Sequence, residues 1–504
     1  MINITEKKNT VSRPVKVLQF GEGNFLRAFV DWQIDIANEK SGFNGNIVMI
    51  QPLPDDSTPL YNDQKCLYTT ILRGIQHGKN VEEIRIIDSV SKCINCYTAY
   101  DEYLSYANSP DLRFVISNTT EAGIVYSQEC KLEDTPPASF PAKVAQFLYK
   151  RFKHFNGDKK AGLIFIPCEL IDKNGDKLKE YILQHSADWK LGEDFDKWVN
   201  DACIFCNSLV DRIVPGYPRN EAPAWCAKLG YQDNLIDQAE PFHLWVIETS
   251  GDIEALKREF PLQKAGLNVV WTNDMTFYRT RKVRILNGTH SMFTAGAFLS
   301  GLTTVEESIN NPVIYSFIKL GLFGEIIPSM DGDTDELFNY ANSVLERFSN
   351  PYIRHLLIDI CLNYTSKFKT RNLPSIKSYI ERYNAVPQCL AFSMAAITMF
   401  YKGNDVTNRQ MTGMRQTSDE KEPEMYLIKD DESVLTFFEL LHKRTNNPKE
   451  LANAVLTNDS LWGEDLTKLP GFEEAVSHHI EEIQTKGMLH AVDGVRPSVI
   501  KPIK

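Results

Sequence analysis

The feature that most constrains this chain is a repeated alternation in its first half between short apolar runs and longer polar, helix-compatible stretches. PVKVLQF (residues 14–20), NIVMIQP (46–52), LRFVISNTT (112–120), AGLIFIPCE (161–169) and LNVVWTND (267–274) are each four to eight residues of Val, Ile, Leu and Phe bounded by turn formers. Strands buried on both faces read in this continuous way, and strands that alternate with helices pair in parallel. The spacing therefore predicts an α/β fold with an N-terminal Rossmann-type parallel sheet.

Beyond about Val305 the texture changes. ESINNPVIYSFIKLGLFGEIIPSM, PYIRHLLIDICLNYTSKF and SVLTFFELLHKR keep helical spacing, so the second half is expected to be mainly α-helical. The boundary falls near residue 272, giving a dinucleotide-binding domain over 1–272 and a helical substrate and catalytic domain over 273–504. With 504 residues, 43% of them apolar, the chain has material for two cores.

Charge excludes one class of partner. A net charge of -11 is the opposite of the clustered cation surface from which nucleic-acid affinity comes. The polar opening MINITEKKNTVSRP has no apolar core of the kind a secretory signal needs, and the expectation is a cytoplasmic protein. The apolar stretch Cys389–Tyr401 is too short for a bilayer span, which takes roughly 20 residues, and reads as a buried helix. Ten cysteines in such a protein are expected to stay reduced. Cys93 with Cys96 and Cys203 with Cys206 form two CxxC pairs, but these are far apart in sequence and lie in apolar surroundings, so no metal is expected.

Gly21 and Gly23 in LQFGEGNFLRAF close the first strand and open a helix, where a dinucleotide fold turns tightly beneath a pyrophosphate. Leu26 stands at the third glycine position, so the fingerprint is incomplete. The second strand ends in Gln51 where a ribose-binding acid is usual. Gln51 can still hydrogen-bond a ribose, and Asp55 or Asp56 can fold back, so the residues alone leave NAD and NADP open.

The chemistry-bearing spacing is Lys282, Asn287 and His290 in RKVRILNGTH. At about 100° per residue, Asn287 lies near 140° and His290 near 80° from Lys282, which puts all three on one helix face. Reduction of a ketone by hydride needs a proton for the nascent alkoxide and a donor that polarises the carbonyl, roles suited to Lys and Asn. Arg281 and Arg284, together with desolvation, are expected to lower the lysine's pKa toward the operating pH. A basic surface helix with one core histidine accounts for the spacing equally well.

GEGNFLRAF, NTTEAGI, VDRI and KVRILNGTH together resemble the mannitol dehydrogenase family of long-chain polyol dehydrogenases along nearly the whole chain. GEGNFLRAFVDWQID, SNTTEAG, IPCELIDKNG and NPYIRHLLIDICLNYTSKFKTR are similar to the branch that interconverts tagaturonate and altronate. The resemblance implies NAD as cofactor, no metal, and hydride transfer to the keto group of a hexuronate. It implies Lys282 as acid/base, with Asn287 and His290 holding the reacting oxygen. It also implies a pyrophosphate cradle over Gln19, Phe20, Gly21, Glu22, Gly23, Asn24, Phe25, Leu26 and Arg27, with Thr120 and Glu121 beside the nicotinamide. Leu170 departs from the pattern, since polyol-oxidising relatives carry asparagine there. Asn174 in the nearby DKNG turn is not assigned a role.

A uronate carboxylate calls for a cation. Lys367 and Arg371, four apart in TSKFKTR, would share a helix face, and Arg354 precedes them; a solvated basic turn is the bland alternative. Arg212, beside Asp211, reads as a buried structural ion pair or a substrate contact, with structure favoured. Fructuronate reduction and hexitol oxidation are the rival activities within the family, and a non-catalytic dinucleotide sensor is the rival from another class.

Overall fold

A computed structural model describes residues 1–120, 123–416 and 422–496. The chain divides into two compact units, one of residues 1–74 with 79–276 and one of 75–78 with 277–504.

The first unit is built on six parallel strands: β1 Val15–Phe20, β2 Asn46–Gln51, β3 Val90–Asn95, β4 Phe114–Ser117, β5 Ile164–Pro167 and β6 Ile204–Phe205. Their order across the sheet is β3-β2-β1-β4-β5-β6. This is the doubly wound arrangement, in which the strand order reverses between β1 and β4 and opens a crevice beyond their C-terminal ends. Period-two alternation supplies both faces. Val17, Ile47, Met49, Phe114, Ile116, Ile164 and Ile166 pack into one apolar layer. Leu18, Phe20, Val48, Ile50, Val115 and Phe165 pack into the other. That double burial is why the strands read as unbroken apolar runs. β3, whose sequence VSKCIN is interrupted by Ser91 and Lys92, and the two-residue β6 are the strands the pattern does not announce, while the run over 267–274 belongs to another sheet.

Each CxxC pair splits between the two layers, Cys93 and Cys206 on one side and Cys96 and Cys203 on the other. All ten cysteines are buried free thiols. A second sheet joins β7 Asn207–Asp211 antiparallel to β8 Leu244–Glu248, which runs parallel to β9 Val269–Thr272. Arg212, just past β7, is buried and donates to the carbonyls of Glu240 (2.9 Å) and Ala28 (2.6 Å) beneath the Trp32 ring, a structural role.

The second unit is mainly helical. The stretch expected to be a buried helix is one, at Gln388–Phe400, with Cys389 to Thr398 buried throughout. No helix among the described residues is long and apolar enough to cross a membrane. The mainly helical expectation holds, with one addition. The helical texture after Val305 is broken by an antiparallel sheet of β10 Gly403–Thr407, β11 Gln410–Arg415 and β12 Glu424–Lys429. In β12 inward Tyr426 and Ile428 alternate with exposed Met425, Leu427 and Lys429, a strand period that length-averaged helical spacing hides.

Candidate active site

In the first unit, β1 runs into Gly21, whose backbone adopts φ +113°, in the left-handed half of conformational space. A Cβ there would lie 2.8 Å from the Asn118 carbonyl oxygen, so strain and contact both demand glycine. Gly23 begins the helical run α1, made of an α turn Asn24–Leu26, a π turn Arg27–Asp31 and an α-helix Trp32–Lys40. No side chain caps its first amides, and nothing lies within 4 Å of a Cβ built on Gly23. Uncapped amides at a helix start favour an anion. Gly21→Ala is expected to cost about 1–3 kcal/mol of stability and to weaken NADH binding at least roughly tenfold through the displaced turn. Thermal melts and a fluorescence titration measure both, and unchanged affinity would remove this turn from the cofactor site.

The rest of the Gln19–Arg27 stretch divides into two sets. Glu22, Gly23, Asn24 and Phe25 stay accessible. Gln19, Phe20, Leu26 and Arg27 are buried and turned inward. Arg27 donates to the Leu235 carbonyl (2.6 Å) and to Asn24 Oδ1 (2.5 Å) and lies 3.7 Å from Asp237. Gln19 donates to the Gly21 carbonyl at 3.2 Å, bracing the turn from behind. Burial pushes the Asp31 and Asp237 carboxyls up to about 7 despite the nearby Arg27 guanidinium. Gln51, offered above as a ribose partner, is spent on the following loop: its amide donates to the Asp55 carbonyl and its oxygen accepts from Ser57 N at 3.1 Å. Asp56 caps Thr58 N at 3.0 Å. Thr120 is exposed with φ +72°, and Glu121 lies outside the described residues.

Leu170 points to solvent. Asn174 does not replace the missing asparagine. Its amide donates to the carbonyls of Pro167, Glu169 and Ser208, and its oxygen accepts from Ser208 N, so its hydrogen-bonding capacity goes into the fold. Beside it, and given no role from sequence although it lies within IPCELIDKNG, buried Glu169 accepts from Thr119 N (2.9 Å), Thr119 Oγ1 (2.9 Å) and Ser117 Oγ (3.0 Å).

In the second unit, Lys282, Asn287 and His290 lie on the helical run α2, which joins Thr276–Arg281, a π turn Lys282–Asn287 and the α-helix Gly288–Leu299. The π turn alters the geometry inferred from spacing. Hydrogen bonds from i to i+5 widen the turn, so residues five apart come close to the same azimuth, where an α-helix would hold them about 140° apart. Lys282 and Asn287 are the two ends of that turn, and both are half-buried. The Asn287 amide has no hydrogen bond among the described residues.

The two arginines expected to repel Lys282 are engaged elsewhere. Arg281 pairs with Glu336 at 2.5 Å and lies over the Tyr340 ring, so its charge is largely offset. Arg284 donates to Ser375 Oγ at 3.3 Å and shares its surroundings with Arg382.

His290 is buried, stacked on Phe348 at 4.2 Å and edge-on to His355 at 5.0 Å. Its Nε2 is buried without a hydrogen-bond partner among the described residues. Burial first, then the charges of His355, Arg371, Arg347 and Lys367, push its pKa well below the ordinary 6.5. A neutral imidazole can donate or accept a hydrogen bond but is a poor proton source. The folded state refuses a proton that the unfolded chain takes up below about 6.5, so this group's contribution to stability is lost as pH falls through that value. His290→Asn should remove that loss, and the melting temperature of the variant relative to the parent should rise between pH 7 and pH 5. A constant difference would mean that His290 takes up a proton as readily in the fold as in the unfolded chain.

Of the predicted carboxylate ligands, the structure gathers two around His290. Lys367 and Arg371 lie on α3, Tyr364–Arg371; Arg371 donates to Ser291 Oγ (3.1 Å) and Lys367 to the Ile360 carbonyl (3.0 Å). Burial and, for Lys367, repulsion from Arg371 depress both pKa values. Arg354 is exposed and lines a separate cavity of about 680 Å³ with Phe298, Phe400 and Tyr426. His355 and Phe348, which frame the His290 ring, carried no signal in sequence beyond their adjacency to other candidates.

Residues 15–258 match the mannitol dehydrogenase Rossmann domain and residues 274–484 the mannitol dehydrogenase C-terminal domain. The chain belongs to the mannitol dehydrogenase family. Curated members of the family include the altronate oxidoreductase of Phocaeicola vulgatus, 44% identical over 96% of this chain and 97% of that one. That of Bacteroides thetaiotaomicron is 43% identical over 96% and 98%, and that of Bacillus subtilis 43% over 95% and 95%. Among solved structures, D-sorbitol dehydrogenase in substrate-free form superposes with a TM-score of 0.78 at 22% identity, covering 98% of this chain and all of that one. The mannitol 2-dehydrogenase of Pseudomonas fluorescens, in ternary complex with NAD and D-mannitol, gives 0.64 at 20% identity over 96% and 94%. At these identities the two structures establish the family's fold in this chain.

Proposed function

We propose that this protein is an NAD-dependent, metal-independent oxidoreductase that interconverts D-tagaturonate and D-altronate. The observation that carries the reading is near-full-length identity of 42–44% to altronate oxidoreductases. Residues 1–272 are assigned to the dinucleotide and 273–504 to substrate and catalysis.

The first unit fits the cofactor: a glycine-only turn, uncapped amides at Gly23 and a crevice at the strand-order reversal are the parts a pyrophosphate needs. The nicotinamide dinucleotide, when bound, supplies the hydride. The Lys282 ammonium polarises the keto oxygen and gives it a proton as the carbonyl carbon is reduced; in the oxidative direction the amine takes that proton back. The Asn287 amide and a His290 Nε2–H donate hydrogen bonds to the same oxygen, worth most as charge develops on it. His290 stays neutral, which leaves Lys282 as the acid. Lys367 and Arg371 pair with the substrate carboxylate.

The test is NADH oxidation with tagaturonate, fructuronate and fructose in parallel, repeated with NADPH. Turnover of tagaturonate with NADH is expected to dominate. Preference for fructuronate or fructose overturns the substrate, and NADH binding without any turnover revives the sensor.

A further inference from the structure

The loops after β1 and β4 flank the strand-order reversal and touch, since the Asn118 carbonyl lies 2.8 Å from where a Gly21 Cβ would be. Anything that sets residues 118–120 therefore sets the wall of the dinucleotide turn. This segment is strained. Thr120, a β-branched residue, holds φ +72°, and a Cβ on Gly123 would fall 1.9 Å from Thr119 Oγ1, so the chain returns directly onto Thr119. Strain of this kind persists only where the surroundings over-determine it.

Backbone bonds such as Asn118 N to the Phe20 carbonyl (3.0 Å) hold part of it, and one side chain supplies the rest. Glu169, just past the end of β5 and 3% exposed, receives three donors from the β4 end: Thr119 N and Thr119 Oγ1 on one carboxylate oxygen, Ser117 Oγ on the other. A carboxylate taken from water with only neutral donors is a costly way to join two loops where apolar contacts would suffice. We propose that Glu169 is a positioning residue that fixes the 118–120 turn for the nicotinamide end of the cofactor. The inference rests on the dinucleotide reading above. Glu169 touches neither hydride donor nor substrate and acts through Thr119.

Glu169→Gln keeps an oxygen for both Thr119 donors and turns its amide toward the Ser117 hydroxyl, which can accept. Glu169→Ala leaves Thr119 N–H and Oγ1 without an acceptor. NADH affinity, read by fluorescence titration without substrate, is expected to weaken about tenfold or more in Glu169→Ala and less than about threefold in Glu169→Gln. The KM for NADH should follow while that for tagaturonate stays near the parent value. Should Glu169→Ala fail to fold, Thr119→Val removes the hydroxyl donor alone and should weaken NADH binding about threefold. NADH affinity within twofold of the parent in the variant that folds, or equal damage from Glu169→Gln and Glu169→Ala, overturns the proposal. Because the titration uses no substrate, a wrong assignment of the ketone shows only in the turnover assay and leaves this outcome readable.

Discussion

Replacing Lys282 with alanine should lower kcat for tagaturonate reduction by about 10²- to 10⁴-fold, the range a positioned general acid supplies, while NADH binds as tightly as to the parent. The reason is that the titratable groups nearest it in sequence are poor substitutes. His290 is held neutral by burial and surrounding cations, Arg281 is paired with Glu336, and Arg284 turns to Ser375. Stopped-flow absorbance reads the chemical step, and fluorescence titration reads cofactor affinity. A variant that retains a tenth or more of parental kcat would show that the proton comes from elsewhere.

The second large effect falls on the substrate's charge. Neutralising both carboxylate candidates, as Lys367→Met with Arg371→Met, should raise KM for tagaturonate by about a hundredfold or more through loss of charge-assisted hydrogen bonds. KM for fructose, which has no carboxylate, should move little or improve. The two cations are half-buried on one short helix beside His290, and each depends on that placement for its depressed pKa. Equal loss for both substrates would mean that these side chains hold up the fold around His290 and do not read the carboxylate.

The parallel sheet was legible because strands buried on both faces are mostly apolar. β1, β2, β4 and β5 are nearly unbroken apolar runs, whereas β3 carries Ser91 and Lys92 and was invisible. The β10–β12 sheet was hidden inside a helical half because its strands are short and face solvent on one side. Lys282, Asn287 and His290 could be named from spacing, yet the π turn that redraws their azimuths leaves no periodic trace. Side-chain direction was the least readable layer. Arg27 and Gln51 sit in cofactor motifs but point into the protein, Arg354 faces another cavity, and Glu169 sits in IPCELIDKNG with nothing in the motif to show which loop it holds. These outcomes depend on what the tertiary structure offers as a partner, and local sequence does not encode that.

The most direct test of the account is the reverse reaction: reduction of NAD by altronate, mannonate and mannitol, with enzyme treated with EDTA. The account predicts that altronate gives by far the highest kcat/KM and that chelation leaves it unchanged. A higher kcat/KM for mannonate or mannitol, or activity lost to EDTA and restored by a divalent metal, would contradict it.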